Sequence, residues 1–153
     1  MSNCEPLRHF VRDMTDCASS GLGEAEVMGE ARGLLGALIA RDDWLPDECA
    51  TPHPEHYQQY LLYCDPLERF SLVSFVWGPG QSTPIHDHTV WGLIGMLRGA
   101  EVSQAFDVKG DGAPVPGETV RLDPGRIEAV SPAIGDVHRV SNAYDDRVSI
   151  SIH

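Results

Sequence analysis

Apolar residues near the start of the chain recur with helical spacing. The first stripe consists of Leu7, Phe10, Val11, Met14 and Cys17. This i, i+3, i+4, i+7, i+10 pattern predicts an amphipathic helix, and Asn3 is suited to cap its N-terminus. A second helical stripe lies between Glu24 and Arg41, with acidic residues in the first turn, where the helix dipole favours them.

From about residue 57 onward the pattern changes to short segments rich in β-branched and aromatic residues, separated by turn-forming residues. The proline-rich segment 42–54, between the helices and this region, is predicted as a loop. Many short strands with no helix between them favour an antiparallel sandwich or barrel of the jelly-roll kind. The predicted strands span 57–63, 70–77, 92–97, 101–108, 118–122, 126–130, 137–141 and 147–152.

Composition restricts the class of protein. A length of 153 residues suits one domain, and a net charge of −12 with no basic cluster argues against nucleic acid or anionic lipid as a partner. Small molecules are the expected partners, and we expect a monomer or a weak homo-oligomer. Neither a signal-peptide core nor a stretch of membrane-spanning length occurs in the sequence, and the four cysteines form no CxxC pair. These features predict a cytoplasmic protein with unpaired thiols.

Two histidines two residues apart suggest a metal site. If the segment around His86 and His88 is extended, both imidazoles project from the same face. His138 lies on a later predicted strand that need only neighbour the first segment to complete the group. Three neutral imidazoles suit Fe, Zn, Ni or Cu. His53 and His56 lie in the proline-rich region without HExxH spacing, so we predict surface or structural roles for them.

The spacing around the histidine pair resembles the first motif of the cupin superfamily. Five residues separate Gly80 from His86, and six separate Gly92 from Gly99, as that motif requires. Gly92 stands where most cupins have a metal-binding glutamate. The resemblance implies a mainly β, cupin-type antiparallel jelly-roll barrel with two N-terminal helices. The implied organisation is a single cupin domain over 1–153, with a helical segment at 1–45 and the barrel at 55–153.

A second cupin motif is matched by five later residues: Gly125, Pro132, Gly135, His138 and Asn142. The spacing on each side of the proline is longer by one residue than the motif prescribes. A cupin with three histidines and no carboxylate resembles the cysteine dioxygenase family, the cupin thiol dioxygenases. The resemblance implies one Fe(2+) per chain on His86, His88 and His138, and conversion of a small thiol with O2 to its sulfinic acid. An anionic thiolate would balance the charge that three neutral ligands leave on the iron.

Ser151 and His153 match the first and third positions of a Ser-x-His-x-Tyr relay in that family. The resemblance implies catalytic roles for both residues. The chain ends at His153, so the resemblance also implies a form truncated before the relay tyrosine.

Gln59 stands where family members that act on cysteine have an arginine for the substrate carboxylate. Members with glutamine resemble the 3-mercaptopropionate dioxygenases, so we expect either 3-mercaptopropionate or L-cysteine as substrate, with the former preferred. Tyr57 lies two residues earlier on the same strand face and is a candidate to add a hydroxyl to the pocket. Trp77 is a candidate wall of that pocket, with core packing as the alternative.

Two other functions remain open. The first is a non-catalytic metal-binding or ligand-sensing cupin, which a truncated dioxygenase could resemble. The second is a carbon-oxidising cupin dioxygenase, which would be expected to keep the glutamate that Gly92 replaces.

Overall fold

The computed structural model describes residues 3–110 and 112–153, and within them two helices precede eight antiparallel strands. The mainly β fold predicted from the sequence is confirmed. The helices are α1 (Glu5–Ala18) and α2 (Glu24–Ile39), followed by a short 3-10 helix (Asp47–Ala50). The strands are β1 (Gln58–Cys64), β2 (Ser71–Trp77), β3 (Gly92–Arg98), β4 (Glu101–Asp107), β5 (Val115–Leu122), β6 (Ile127–Val130), β7 (His138–Asn142) and β8 (Ser149–Ile152).

The ends of the elements differ from the predicted ones by a few residues. The loop predicted at 42–54 contains the 3-10 helix, and β5 begins at Val115 rather than at 118. Pro116 and Gly117 argue for a turn in the sequence. β5 accommodates them because it is an edge strand with a neighbour on one side only. On the open side, a residue without a backbone N–H breaks no hydrogen bond to another strand.

The strands form two sheets. One has the order β1-β2-β8-β3-β6 and the other the order β5-β4-β7. The main hydrophobic core lies between the helices and the larger sheet, and a smaller cluster around Ile94 and Met96 lies apart from it. The indole of Trp44, which is wholly buried in the main core, donates to the backbone oxygens of Leu38 and Arg41 and so ties the end of α2 to the following loop.

Strand β8 lies between β2 and β3 and is buried on both faces. Its sequence alternates Ser149, Ile150, Ser151, Ile152. Because side chains alternate along a strand, the two isoleucines share one face, where they join the core beneath the helices, and the two serines share the other. The serines face a polar interior that also contains Glu101.

No helix within residues 3–110 and 112–153 has both the length and the apolar character that a membrane crossing requires.

The turn between β3 and β4 requires glycine. Gly99 has a φ of +69°, and a Cβ added there would overlap the Oγ of Ser149 and lie 3.0 Å from its Cα. The same Ser149 Oγ accepts a hydrogen bond from the backbone N–H of Ala100 at 3.0 Å. The absence of a side chain at position 99 therefore lets β8 approach the start of β4.

We predict that Gly99→Ala lowers the free energy of unfolding by about 3 kcal/mol or more, because backbone strain and steric overlap act together. Urea unfolding monitored by circular dichroism measures this loss. Gly110→Ala is the matched control, since Gly110 also has a positive φ but open space around its Cβ position. Equal losses in the two variants would show that the overlap with Ser149 contributes nothing.

Candidate metal centre and adjoining cavity

His86 and His138 lie directly opposite each other on two antiparallel segments. The backbone N–H of each donates to the carbonyl oxygen of the other, both at 2.9 Å. Pro84 has no N–H to donate, and the ladder between its segment and β7 is limited to isolated bridges. His86 therefore lies beside β7 through an isolated bridge rather than within a regular strand, and His88 follows two residues later.

The structure brings the three predicted metal ligands together. The ring centroids of His86 and His138 are 4.7 Å apart, and each of these two centroids is 5.1 Å from that of His88. One ring nitrogen from each histidine lies within 4.8 Å of the other two. Within the described part of the chain, this group contains no carboxylate.

Hydrogen bonds fix the tautomers of His86 and His88. Nδ1 of His86 lies 3.0 Å from the carbonyl oxygen of Pro84, and Nδ1 of His88 lies 2.8 Å from Oδ2 of Asp136. A carbonyl and a carboxylate only accept, so each Nδ1 carries the proton. In the neutral form of either ring, the lone pair is then on Nε2, as metal binding through Nε2 requires.

The tautomer of His138 is set by a chain of two hydrogen bonds. Nδ1 of His138 lies 3.2 Å from Oγ of Ser103, and that hydroxyl donates to Oε1 of Glu128 at 3.3 Å. Because Ser103 has one proton and gives it to Glu128, it accepts from Nδ1–H of His138. Nε2 of His138 is then an acceptor, and it is buried with no hydrogen-bond partner among the described residues.

The unpartnered Nε2 of His138 is the observation by which the fit of a metal to the three histidines can be judged. A buried lone pair without a partner costs free energy, which a bound cation would recover. Burial, followed by the neighbouring His86 and His88, lowers the pKa of His138 to about 4. The ring is therefore neutral near pH 7, as a ligand must be. The three imidazoles fit a first-row transition metal, and their chemistry alone does not select one.

A cavity of about 780 Å³ adjoins the histidine group. Its lining includes Gln59, Phe75, His88, Trp91, Gly92 and His153. A Cβ added at Gly92 would approach Cγ2 of Val130 to 3.2 Å, so a larger side chain at this position would require Val130 to move. Gly92 lines the same cavity as His88.

Ser151 and His153 form a hydrogen-bonded pair at this cavity. Oγ of Ser151 lies 2.9 Å from Nε2 of His153, and the indole N–H of Trp77 donates to Oγ of Ser151 at 3.3 Å. The His153 ring stacks on Phe75 with a centroid distance of 3.8 Å. Burial, followed by the electrostatic effect of His88, lowers the pKa of His153 to about 3, so His153 is neutral at physiological pH.

Solved structures with similar architecture identify the fold. A cupin superfamily protein from Desulfitobacterium hafniense is 16% identical, with a TM-score of 0.52 over 73% of this chain and 90% of that chain. A double-stranded β-helix protein from Klebsiella pneumoniae is 18% identical, with a TM-score of 0.50 over 73% and 87% of the two chains. The chain has the cupin fold. Drosophila melanogaster CENP-C bound to CAL1 is also similar, at 14% identity and a TM-score of 0.52 over 85% of this chain and 97% of that chain. No protein-family model matches the chain.

The three residues predicted to bind substrate occupy different environments in the structure. Gln59 is exposed and lines the cavity. Tyr57 stacks on Trp77 with a centroid distance of 4.9 Å, and neither side chain lines the cavity. Trp77 is 1% exposed and supports Ser151 from within the barrel, which is the packing alternative considered for it.

A second group of potential ligands lies at the protein surface and consists of His53, Glu55 and His56. The two imidazoles stack with a centroid distance of 3.8 Å, and one ligand atom from each of the three residues lies within 4.8 Å of the others. Nδ1 of His53 already accepts from the backbone N–H of Glu55 at 3.2 Å, which leaves that ring its other nitrogen. Their position at the surface agrees with the surface role predicted for the two histidines.

We predict that His86→Ala, His88→Ala and His138→Ala each bind less iron than the unmodified protein, because each removes one of three ligands. The measurement is iron content by elemental analysis after anaerobic loading with Fe(2+) and desalting. His9→Ala is the control, because His9 lies on α1 outside the histidine group. Full iron occupancy in any of the three variants would remove that histidine from the ligand set.

Proposed function

We propose that this cupin is an iron-dependent thiol dioxygenase that converts a small thiol carboxylate to its sulfinic acid. The observation that carries the proposal is a group of three neutral imidazoles, with no carboxylate among them, beside a cavity lined by Gln59 and His153. Bound ferrous iron would supply affinity for both the thiol and O2. The overall reaction, RSH + O2 → RSO2H, adds both oxygen atoms to sulfur, two steps up its oxidation ladder.

The charge of the ligand set supports an anionic substrate. Three imidazoles bring no negative charge to a divalent ion, whereas a protein carboxylate would reduce the net charge by one. Gly92 occupies the place where a carboxylate would stand in most cupins, and it lines the cavity together with His88. A thiolate is therefore favoured at this site both by charge and by available volume.

The cavity offers an amide rather than a free cation to a substrate carboxylate. Gln59 lies opposite Phe75 in the β1–β2 register, and Phe75 stacks on His153. Arg69 also lines the cavity, but its guanidinium is already paired with the Asp65 carboxylate through two hydrogen bonds, at 2.7 and 2.8 Å. A substrate carboxylate at Gln59 would gain hydrogen bonds without a full ion pair, so we expect modest affinity.

A non-catalytic metal-binding or ligand-sensing cupin is the second candidate function. The similar structure of CENP-C bound to CAL1 supports considering it, because a fold alone does not determine whether a protein is an enzyme. The two functions differ in a direct measurement. A sensor would bind iron and a small ligand without consuming oxygen.

We predict that the ferrous protein consumes one O2 for each thiol oxidised and releases a sulfinic acid. An oxygen electrode and mass spectrometry of the product measure this with 3-mercaptopropionate and L-cysteine as thiols. His138→Ala is the control for oxidation by free iron, since it lacks a ligand but keeps the rest of the chain. Iron binding without thiol-dependent oxygen uptake would reject the dioxygenase and favour the sensor.

We predict a higher kcat/KM for 3-mercaptopropionate than for L-cysteine, with a loss in Gln59→Ala of about tenfold, as expected for one hydrogen bond to a charged group. Gln58→Ala is the matched control, because Gln58 precedes Gln59 on β1 and projects from the opposite face. A clear preference for L-cysteine, or equal effects of the two substitutions, would contradict the role of Gln59.

A further inference from the structure

Glu101 is a buried carboxyl group that the proposed reaction does not yet use. It begins β4, is 1% exposed, and has one oxygen, Oε1, with no hydrogen-bond partner among the described residues. The side chains of Ser151 and Trp77 lie within hydrogen-bonding reach of the carboxyl. Glu101 therefore lies beside Ser151, the residue that bonds His153.

The surroundings of Glu101 make both of its protonation states accessible near neutral pH. Burial raises its pKa to about 7, the nearby Ser151 hydroxyl and Trp77 indole oppose this increase, and the nearby Glu128 adds to it. On the strands paired with β4, the residues opposite Glu101 are Leu122 and Asn142, neither of which ionises. Glu128 is thus the acidic neighbour that influences Glu101.

Ser151 has only one hydroxyl proton, so its two neighbours compete for it. If Glu101 is protonated, its O–H donates to Ser151, and Ser151 donates to Nε2 of His153. The ring proton of His153 is then on Nδ1. If Glu101 is ionised, Ser151 donates to the carboxylate and accepts from Nε2–H of His153, which leaves a lone pair on Nδ1.

We propose that Glu101 is a positioning residue that determines, through the hydroxyl of Ser151, which ring nitrogen of His153 carries the proton. His153 lines the cavity, and Ser151 engages only its Nε2. Protonation of Glu101 therefore makes Nδ1 a donor, and ionisation makes Nδ1 an acceptor. The shift between the two states balances: Glu101 gives a proton to Ser151, Ser151 gives one to Nε2, and Nδ1 releases one.

The consequence for catalysis rests on the proposed function. A thiol must lose its proton to become a thiolate, and a neutral His153 with a lone pair on Nδ1 can accept a hydrogen bond from that thiol. The form with ionised Glu101 therefore favours substrate activation. Its population rises as the pH increases through the pKa of Glu101, so kcat/KM should rise over the same interval.

The test is the tautomer of His153 in metal-free protein labelled with ¹⁵N in its histidines. The ring resonances of His153 are assigned by comparison with His153→Gln and followed by NMR over about two pH units either side of neutral. In the unmodified protein we expect Nδ1–H at low pH and Nε2–H at high pH, with a midpoint near the pKa of Glu101. In Glu101→Gln, which preserves shape but cannot ionise, we expect a tautomer that no longer changes with pH.

Two further variants distinguish proton transfer from Glu101 through Ser151 to His153 from a general effect of buried acids. Glu128→Gln is the matched control: it should keep the tautomer change and move its midpoint to lower pH, because a carboxyl that raises the pKa of Glu101 is removed. Ser151→Ala should abolish the tautomer change while infrared spectroscopy still detects ionisation of Glu101. A pH-independent tautomer in the unmodified protein, or an unaltered transition in Glu101→Gln or Ser151→Ala, would overturn the proposal.

These NMR measurements need no metal and no substrate, so they separate the two proposals. If the tautomer of His153 changes with pH but the protein consumes no oxygen, the proposed role of Glu101 is kept and the proposed dioxygenase activity is rejected. If oxygen is consumed, Glu101→Gln should also lose the rise of kcat/KM near neutral pH, whereas a merely structural role would lower activity equally at all pH values.

Discussion

The rest of the structure depends on β8 being buried on both faces. Its isoleucines complete the core beneath the helices, and its serines supply hydrogen bonds inside the barrel. A serine hydroxyl can be buried only if it finds partners, so each serine restricts the position of several others. Ser149 links the start of β4 to Asn142, and Ser151 links Trp77 to His153. One short strand therefore connects the hydrophobic core to the polar interior that contains the site.

The histidine group is held by acceptors that come from separate parts of the fold. A backbone carbonyl, a carboxylate and a serine hydroxyl each engage one Nδ1. All three rings thereby present the same tautomer before any ligand arrives. Because the rings are already oriented, little entropy is lost when a ligand binds. The arrangement is unfavourable in one respect, since it leaves a buried nitrogen of His138 without a partner among the described residues. A buried nitrogen without a partner is unfavourable in ordinary histidine packing, and a bound cation would remove that cost. The arrangement therefore favours a cation site.

The sequence predicted the fold and the three histidines because these depend on local spacing and on strand periodicity. It did not predict Asp136, Ser103 or Glu101, because their importance depends on which strands become neighbours and in what register. It also suggested Trp77 as a pocket wall, although a tryptophan at a strand end is equally suited to the interior, where the structure buries it. Edge position likewise decided the start of β5. Local patterns therefore identify the candidate ligands, and tertiary contacts determine the groups that orient them.

Two glutamates, Glu101 and Glu128, each connect to a different histidine through one serine. Glu128 reaches His138 through Ser103, and Glu101 meets Ser151, which bonds His153. Glu101 and Ser103 are two residues apart on β4, so strand periodicity directs both side chains inward. The two chains nevertheless differ in outcome. His138 has its second nitrogen in the histidine group, where exchange of the ring proton would remove a ligand, whereas His153 can change tautomer and leave the three ligands unchanged. The fold thus separates a fixed histidine from an adjustable one by the same chemical device.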